Sequence, residues 1–316
     1  MSSVVTEIDA AADRSSGRPP RRSKRRGVAL VPYLFVGAAA LYLLLFTAVP
    51  MLRGLWFSFT DSVLLNPSGG RFIGLENYQS VLTDGQFWSS VATTLLYTAG
   101  TVVGSIVLGT VAAVAINEHI PGRAFFRALL TIPWAVPSVS VVLVFIWIYN
   151  YDSGVANAGL RALGIGEQGW LIDPKLGMLS VTIASVWKVF PFVMLVVLAS
   201  LQSVPAELKE AARVDGADAL NVFKATVIPH VLPTIRVVAL LMTIWSIRRF
   251  EIIYLLTGGG PIDATNTIVI SVYQEAFQNS DLGRAAAIGI LGLCLSMIVT
   301  VVYFLLDRRE SRKDAQ

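Results

Sequence analysis

The chain has 316 residues, 54% of them hydrophobic and only 15% charged, with 25 lysines and arginines against 21 acids and a net charge of +4. Soluble domains carry about 25% charged residues, so this composition excludes an ordinary soluble domain, a disordered chain and a nucleic-acid binder. A single cysteine, Cys294, excludes an internal disulfide framework or a cysteine-based metal cluster.

A hydrocarbon-spanning helix takes roughly 20 mostly apolar residues, and the chain contains six such runs. Residues 1–27 come first and are polar, with seven of the basic residues. They are expected to form a disordered cytoplasmic tail that orients the first span; attraction to anionic lipid is a second reading. The first apolar run, 27–52, exceeds the core length of a signal peptide and is expected to remain as a span. The external loop 53–86 leads to the second span, 87–117. The third, 128–151, contains Pro133 and Pro137, and the fourth, 176–202, contains Lys188 and Pro191. Each proline removes a backbone hydrogen bond, and a cavity-opening kink or plain packing would both accommodate it. The fifth run, 237–247, continues to 260 and extends back to 228; it includes Arg248, Arg249 and Glu251. The sixth is 285–306, and 307–316 is a second tail.

With the N-terminus inside, 17 of the basic residues fall on the cytoplasmic side and five on the other, the positive-inside asymmetry. Six spans then return the C-terminus to the cytoplasm. The expected fold is an all-α membrane protein, with transmembrane domain 28–306 between two tails. Trp56, Trp88, Trp147 and Trp170 fall near span ends, where interfacial anchoring is the plain explanation.

One polar segment is too long for a connector. Residues 202–231 hold Glu207, Glu210 and a small-residue series, then Asp215-Gly216 and Pro229. A helix entering at Pro205 with acids in its first turn, a break at Gly216 and a second short helix over 217–225 make a cytoplasmic helix pair. It reads either as a docking element or as an amphipathic pair resting on the membrane face.

Ionisable residues within spans are costly and normally face protein or water. Arg248 and Glu251, three apart, would share a helix face and could form an ion pair. Alternatively these charges and Lys188 hydrogen-bond a solute along a path, with Trp187, Phe250 and Tyr254 offering ring faces. Gly258-Gly259-Gly260-Pro261 supplies a tight external turn where backbone could approach a solute or form an outer gate. His119 and His230 are isolated, so no metal site is expected; His230 is expected to make a helix-start hydrogen bond. No nucleophile triad or paired carboxylates share a predicted face, so no catalytic residue is expected. There is no Gly-x-x-x-x-Gly-Lys-Ser/Thr phosphate loop and no Gly-Lys pair, so ATP would have to be handled elsewhere.

The run Glu210-Ala211-Ala212-Arg213-Val214-Asp215-Gly216 with Ile228-Pro229 resembles the EAA signature of binding-protein-dependent ABC importer permeases, with Glu to Gly six positions apart and Gly to Pro thirteen. Thr226 and Ile228 depart from the usual Ile and Leu, on an apolar strip rather than at the turn. Phe72-Ile73-Gly74-Leu75-Glu76-Asn77-Tyr78, Ile132-Pro133-Trp134, Trp187-Lys188 and Leu256-Thr257-Gly258-Gly259-Gly260-Pro261 are similar to the sugar-uptake branch, over about residues 30–306. The resemblance implies a type I importer permease fold. It implies a coupling helix with Glu210, Ala211, Ala212, Asp215, Gly216 and Pro229 seated on an ATPase, and a sugar path near Trp187, Lys188, Arg248, Phe250, Glu251 and Tyr254. The solute would be a disaccharide such as trehalose, with a glycerol phosphate ester as the alternative. Implied partners are a second homologous permease, two copies of the ABC ATPase, which would use the ATP and magnesium, and an extracellular sugar-binding protein or lipoprotein.

Overall fold

The structure, a computed structural model, describes residues 30–117, 121–205, 207, 210, 214 and 218–313. It divides into two compact units, residues 1–52 and 53–316. In the first, α1 (Leu30–Leu43) runs into a π turn over Leu44–Ala48 and then into the start of α2 (Val49–Phe57), whose last five residues belong to the second unit. Its sequence is apolar on every side, the pattern of a lipid-surrounded span rather than of a helix with a wet face. The predicted tail, 1–27, lies outside the described residues.

In the second unit, α3 (Glu76–Thr83) is a short loop helix, and α4 (Gly85–Asn117) and α8 (Pro174–Gln202) are the long central pair. Contacts of Gly100 with Thr182, Gly104 with Val186 and Gly109 with Val193 show that the two run parallel. A Cβ on Gly104 would lie 2.7 Å from Val186 Cγ2, and one on Gly109 2.9 Å from the carbonyl oxygen of Phe190. The helices therefore approach closely because these positions are glycine, the usual device of membrane helix seams. Pro191 is buried within α8, which runs uninterrupted past it, so packing is the outcome at that proline.

The third apolar run is not one helix. It is α5 (Arg123–Ala135) and α6 (Ser138–Ile148), bent by 97° at Val136-Pro137. Pro137 has no N–H to continue the ladder and disfavours helical geometry at the residue before it; Val136 is extended, with ψ 137. After α7 (Val155–Ala162) and α8, and beyond helical residues at 207, 210 and 214, come α9 (Ala219–Val222) and a π turn over Phe223–Val227, which abut α10 (Ile228–Ile247). The second short helix expected over 217–225 is thus continuous, from Ala219 on, with the fifth span, and Pro229 sits in the first turn of α10. The fifth span stops at Ile247, and α11 (Glu251–Thr257) begins after a break. Then come α12 (Ile268–Tyr273), a π turn over Gln274–Gln278, and α13 (Leu282–Lys313), which passes the predicted domain end at 306 without interruption.

Among the described residues five helices are long and apolar enough to cross a membrane, and the count is six if the bent α5–α6 pair is one broken span. Among the described residues the only β pairing is isolated bridges, as between Thr60 and Phe72. Three apolar clusters hold the second unit. One joins α4, α8 and α10 through Ala113, Val193, Val197, Val238 and Met242. Another joins α4, α6, α8, α11 and α12 through Tyr97, Val141, Val181, Ile252 and Ile270. The third ties α13 to α3, α4 and α12 through Ala287, Val81, Phe87 and Ile268.

Candidate functional site

The break between α10 and α11 places Arg248, Arg249 and Phe250 outside regular helix within an apolar run. Irregular backbone at such depth is tolerated where it is buried in protein or lines a water-filled cavity. Trp245, Arg248, Arg249, Phe250 and Glu251 line a cavity of about 460 Å³, within the roughly 300–1,000 Å³ typical of small-molecule sites. No salt bridge joins Arg248 to Glu251 among the described residues. The expected pairing presupposed an unbroken helix; with the break between them the three-residue spacing no longer puts the two on one face. Arg249 Nε is buried with no hydrogen-bond partner, an expensive state for a cationic donor.

Beside the cavity stands a wall of rings. Phe250 and Tyr254 stack at 4.9 Å and 15°, Tyr273 packs on both at 5.1 and 4.6 Å, and Phe277 extends the row at 5.0 Å from Tyr273. Phe277 is exposed. Sequence reasoning found Phe250 and Tyr254 but missed Tyr273 and Phe277, whose helical segment folds back from about 20 residues further on. Trp187 lies among the partly buried residues of the same cluster, edge-on to Phe145 at 5.6 Å.

Lys188 belongs to this region but its ammonium is otherwise engaged. It is 8% exposed and donates to the carbonyl oxygens of Pro133 at 3.2 Å, Trp134 at 3.0 Å and Val136.

The predicted outer turn is built as expected of its glycines. Gly258 caps α11 at φ +62 and Gly259 follows at φ +97, in backbone regions that side chains disfavour. Gln274 donates from Nε2 to the Gly258 carbonyl at 3.3 Å, and Thr265 donates from its amide to the Gly259 carbonyl at 3.0 Å and from Oγ1 to the Gly260 carbonyl at 2.8 Å. Gly177 at the start of α8 packs against Pro261. The turn is thereby fastened to α8 and to the π turn that follows α12.

Of the residues expected to couple to an ATPase, Ala211, Ala212, Asp215 and Gly216 lie outside the described residues; Glu210 is helical and exposed. The stem of the loop is closed. Ser203 Oγ, at the end of α8, lies 3.2 Å from His230 Nε2, so this histidine bonds a neighbouring helix end rather than making the expected helix-start hydrogen bond, and Thr234 Oγ1 donates to Ser200 Oγ at 3.1 Å. Val204, Val227 and Val231 are buried beneath.

A charge network around Arg284 escaped the sequence reading. Arg284, at the start of α13, donates to Glu275 at 3.0 Å and to Asp84 and Ser80 at 2.5 Å each, tying together segments about 200 residues apart. Nearby, Asp61 accepts from the Arg71 amide and guanidinium. The amide bond, with help from the guanidinium, holds its carboxyl below the usual carboxylate value.

Residues 105–312 match the model of the family described as binding-protein-dependent transport system inner membrane component. The chain belongs to that family and is a membrane-embedded permease component of a transport system that depends on a binding protein. Three relatives align over most of their lengths. The trehalose/maltose transport system permease protein MalF of Thermococcus litoralis is 36% identical over 87% of this chain and 93% of its own. The sulfoquinovosyl glycerol transport system permease protein SmoG of Agrobacterium fabrum is 34% identical over 89% and 92%. The trehalose transport system permease protein SugA of Mycobacterium tuberculosis is 33% identical over 89% and 90%. Among solved structures, a chain of a bacterial alginate ABC transporter superposes with a TM-score of 0.76 at 23% identity, covering 88% of this chain and 94% of that one, which establishes the shared ABC permease fold.

Proposed function

We propose that this chain is a permease subunit of an ATP-driven sugar importer and passes a disaccharide, trehalose or a close relative, along the cavity at the α10–α11 break. The observation that carries this reading is the row Phe250, Tyr254, Tyr273 and Phe277 beside a cavity lined by Arg248, Arg249 and Glu251. A pyranose presents apolar C–H faces and a rim of hydroxyls; rings suit the first and charged donors and acceptors the second. The names of the Thermococcus and Mycobacterium relatives support trehalose, while that of the Agrobacterium relative supports a wider range of glycosides. Gly258, Gly259, Gly260 and Pro261 form the outer gate.

Both termini face the cytoplasm in this reading, as the distribution of basic residues requires. The segment of Glu210, Ala211, Ala212, Asp215, Gly216 and Pro229 seats on a separate ATPase, which binds ATP and magnesium. Two ATPase copies, a second homologous permease and an extracellular sugar-binding protein or lipoprotein complete the assembly.

A second reading, a glycerol phosphate ester as solute, draws on the unpartnered Arg249 Nε and the adjacent Arg248. The test is uptake of radiolabelled trehalose by cells carrying the whole transporter, competed with maltose and glycerol phosphate esters, together with copurification of the companion subunits. Competition by the phosphate esters alone would replace the first reading with the second. Recovery of the chain without any ATPase would overturn the importer assembly.

A further inference from the structure

The 97° bend between α5 and α6 leaves the last carbonyls of α5 without helical donors. Pro133 would ordinarily accept from residue 137, but Pro137 has no N–H. In an apolar span, water does not satisfy such oxygens. The structure supplies the missing donors from another helix: Lys188 of α8 reaches across and donates to the carbonyls of Pro133, Trp134 and Val136. An ammonium has three N–H donors and no acceptor, so all three are used. Its charge also faces the negative end of the α5 dipole. Among the described residues no carboxylate is within salt-bridge distance of Lys188, so these carbonyls are its partners.

The bend in turn positions the wall of the cavity region. Val141, Val142 and Phe145 of α6 pack with Ile252 and Ile253 of α11 in one buried cluster, and Phe145 meets Trp187, the residue beside Lys188. We propose that Lys188 is a positioning residue that latches the α5–α6 bend to α8 and so places α6 against the broken span, rather than a ligand for the solute. Pro137 disfavours the straight form; Lys188 stabilises the bent one. A straightened α5–α6 would restore helical donors to the Trp134 and Val136 oxygens but not to that of Pro133, whose donor position is Pro137, and would release the ammonium, so the latch holds only while the bend exists.

The test measures the bend itself, without any sugar, so its result is independent of the substrate assignment. Phe125 and Trp147 are exposed near the two outer ends of α5 and α6. Nitroxide labels on Phe125→Cys and Trp147→Cys, in a Cys294→Ser background of the full chain expressed with its companion subunits in lipid nanodiscs, report their separation. Twenty-two residues of straight helix span about 33 Å, whereas two equal arms at this bend span about 22 Å. The otherwise native chain should give the short distance. Lys188→Met should add or shift to the long one, and Lys188→Arg, which restores N–H donors, should return it to the short one. Lys188→Met with an unchanged single short distance, or Lys188→Arg with the long one, overturns the proposal. If Lys188→Met is not recovered from the membrane, Lys188→Gln takes its place. It has two N–H donors for three carbonyls, and the same criterion applies: lengthening supports the latch, an unchanged short distance refutes it.

Discussion

Three consecutive glycines in the turn after α11 should respond very differently to the same added methyl group. Gly260 has no positive φ, and a Cβ there would lie 3.3 Å from the Thr257 carbonyl oxygen, so Gly260→Ala should cost under about 1 kcal/mol. Gly258 sits at φ +62 with open space around it, so Gly258→Ala pays only for left-handed backbone, about 1–2 kcal/mol. Gly259 combines both penalties. Its φ of +97 lies outside the left-handed well, and its Cβ would meet Ile270 Cγ2 at 3.0 Å and Gln274 Nε2 at 3.2 Å. Ile270 is fully buried and has nowhere to move, and moving Gln274 would break its bond to the Gly258 carbonyl. Overpacking of this kind adds about 1–3 kcal/mol, for a total of about 2–5 kcal/mol. At about 2–4 °C per kcal/mol for a large domain, the apparent melting temperature of the purified transporter should fall by about 4–20 °C for Gly259→Ala. The drop should be about 2–8 °C for Gly258→Ala and under about 4 °C for Gly260→Ala. Differential scanning fluorimetry on the three variants checks the order. If Gly259→Ala melts no lower than Gly260→Ala, the turn is not built as described.

Glu210→Lys reverses the charge of an exposed helical residue in the segment proposed to seat on the ATPase; membrane abundance should be unchanged while uptake is lost and ATP hydrolysis no longer responds to solute. Full uptake by this variant would defeat the coupling assignment. Arg249→Met removes a buried guanidinium nitrogen that no side chain of the described residues satisfies. If that donor serves the solute, a charge-assisted bond of about 1.5–3 kcal/mol is lost, and the KM for uptake should rise by about ten- to a hundredfold. An unchanged KM would take Arg249 off the path. The carboxyl of Asp61 is held below its ordinary value of 3.8 by the Arg71 amide. Its folded pKa is the lower one, so its contribution is present above the unfolded value and is lost as pH falls through the folded one. The melting-temperature difference between the unmodified chain and Asp61→Asn should therefore hold at neutral pH and shrink only below about pH 4. A difference that persists unchanged at pH 3 would contradict the assignment.

The spans were legible because a membrane imposes a length and an apolarity that no other environment asks for. Thus α4 and α8 begin within two residues of the apolar runs at 87 and 176 and end at the predicted 117 and 202. Breaks inside spans were legible only in part. Pro133, Pro137 and Pro191 look alike in sequence, yet one lies within α5, one ends its helical path and one is absorbed into α8. The difference lies in what is available nearby to satisfy the freed carbonyls, and the donor at Pro133, Lys188, is 55 residues away. Tyr273 and Phe277 escaped for the same reason: their value comes from the ring they meet, not from their spacing. The Arg284 network joins residues about 200 positions apart and has no local signature.

The break at Arg248–Phe250 has no proline to announce it, and its cause is electrostatic geometry. Successive residues of an α-helix are turned by about 100°. In a continuous helix Arg248 and Glu251 would sit about 60° apart, but Arg249 would point about 100° from the first and about 160° from the second. One of the three charges would then face lipid whichever way the span rotated, at a cost of about 2.5–3.5 kcal/mol or more. Interrupting the helix after Ile247 frees these side chains from the 100° rule, and all three line a single cavity. The orphaned backbone groups at the break cost less than a lipid-facing arginine if the cavity is wet. The fifth span, the weakest of the six by its charge content, is on this argument interrupted because its charges must converge.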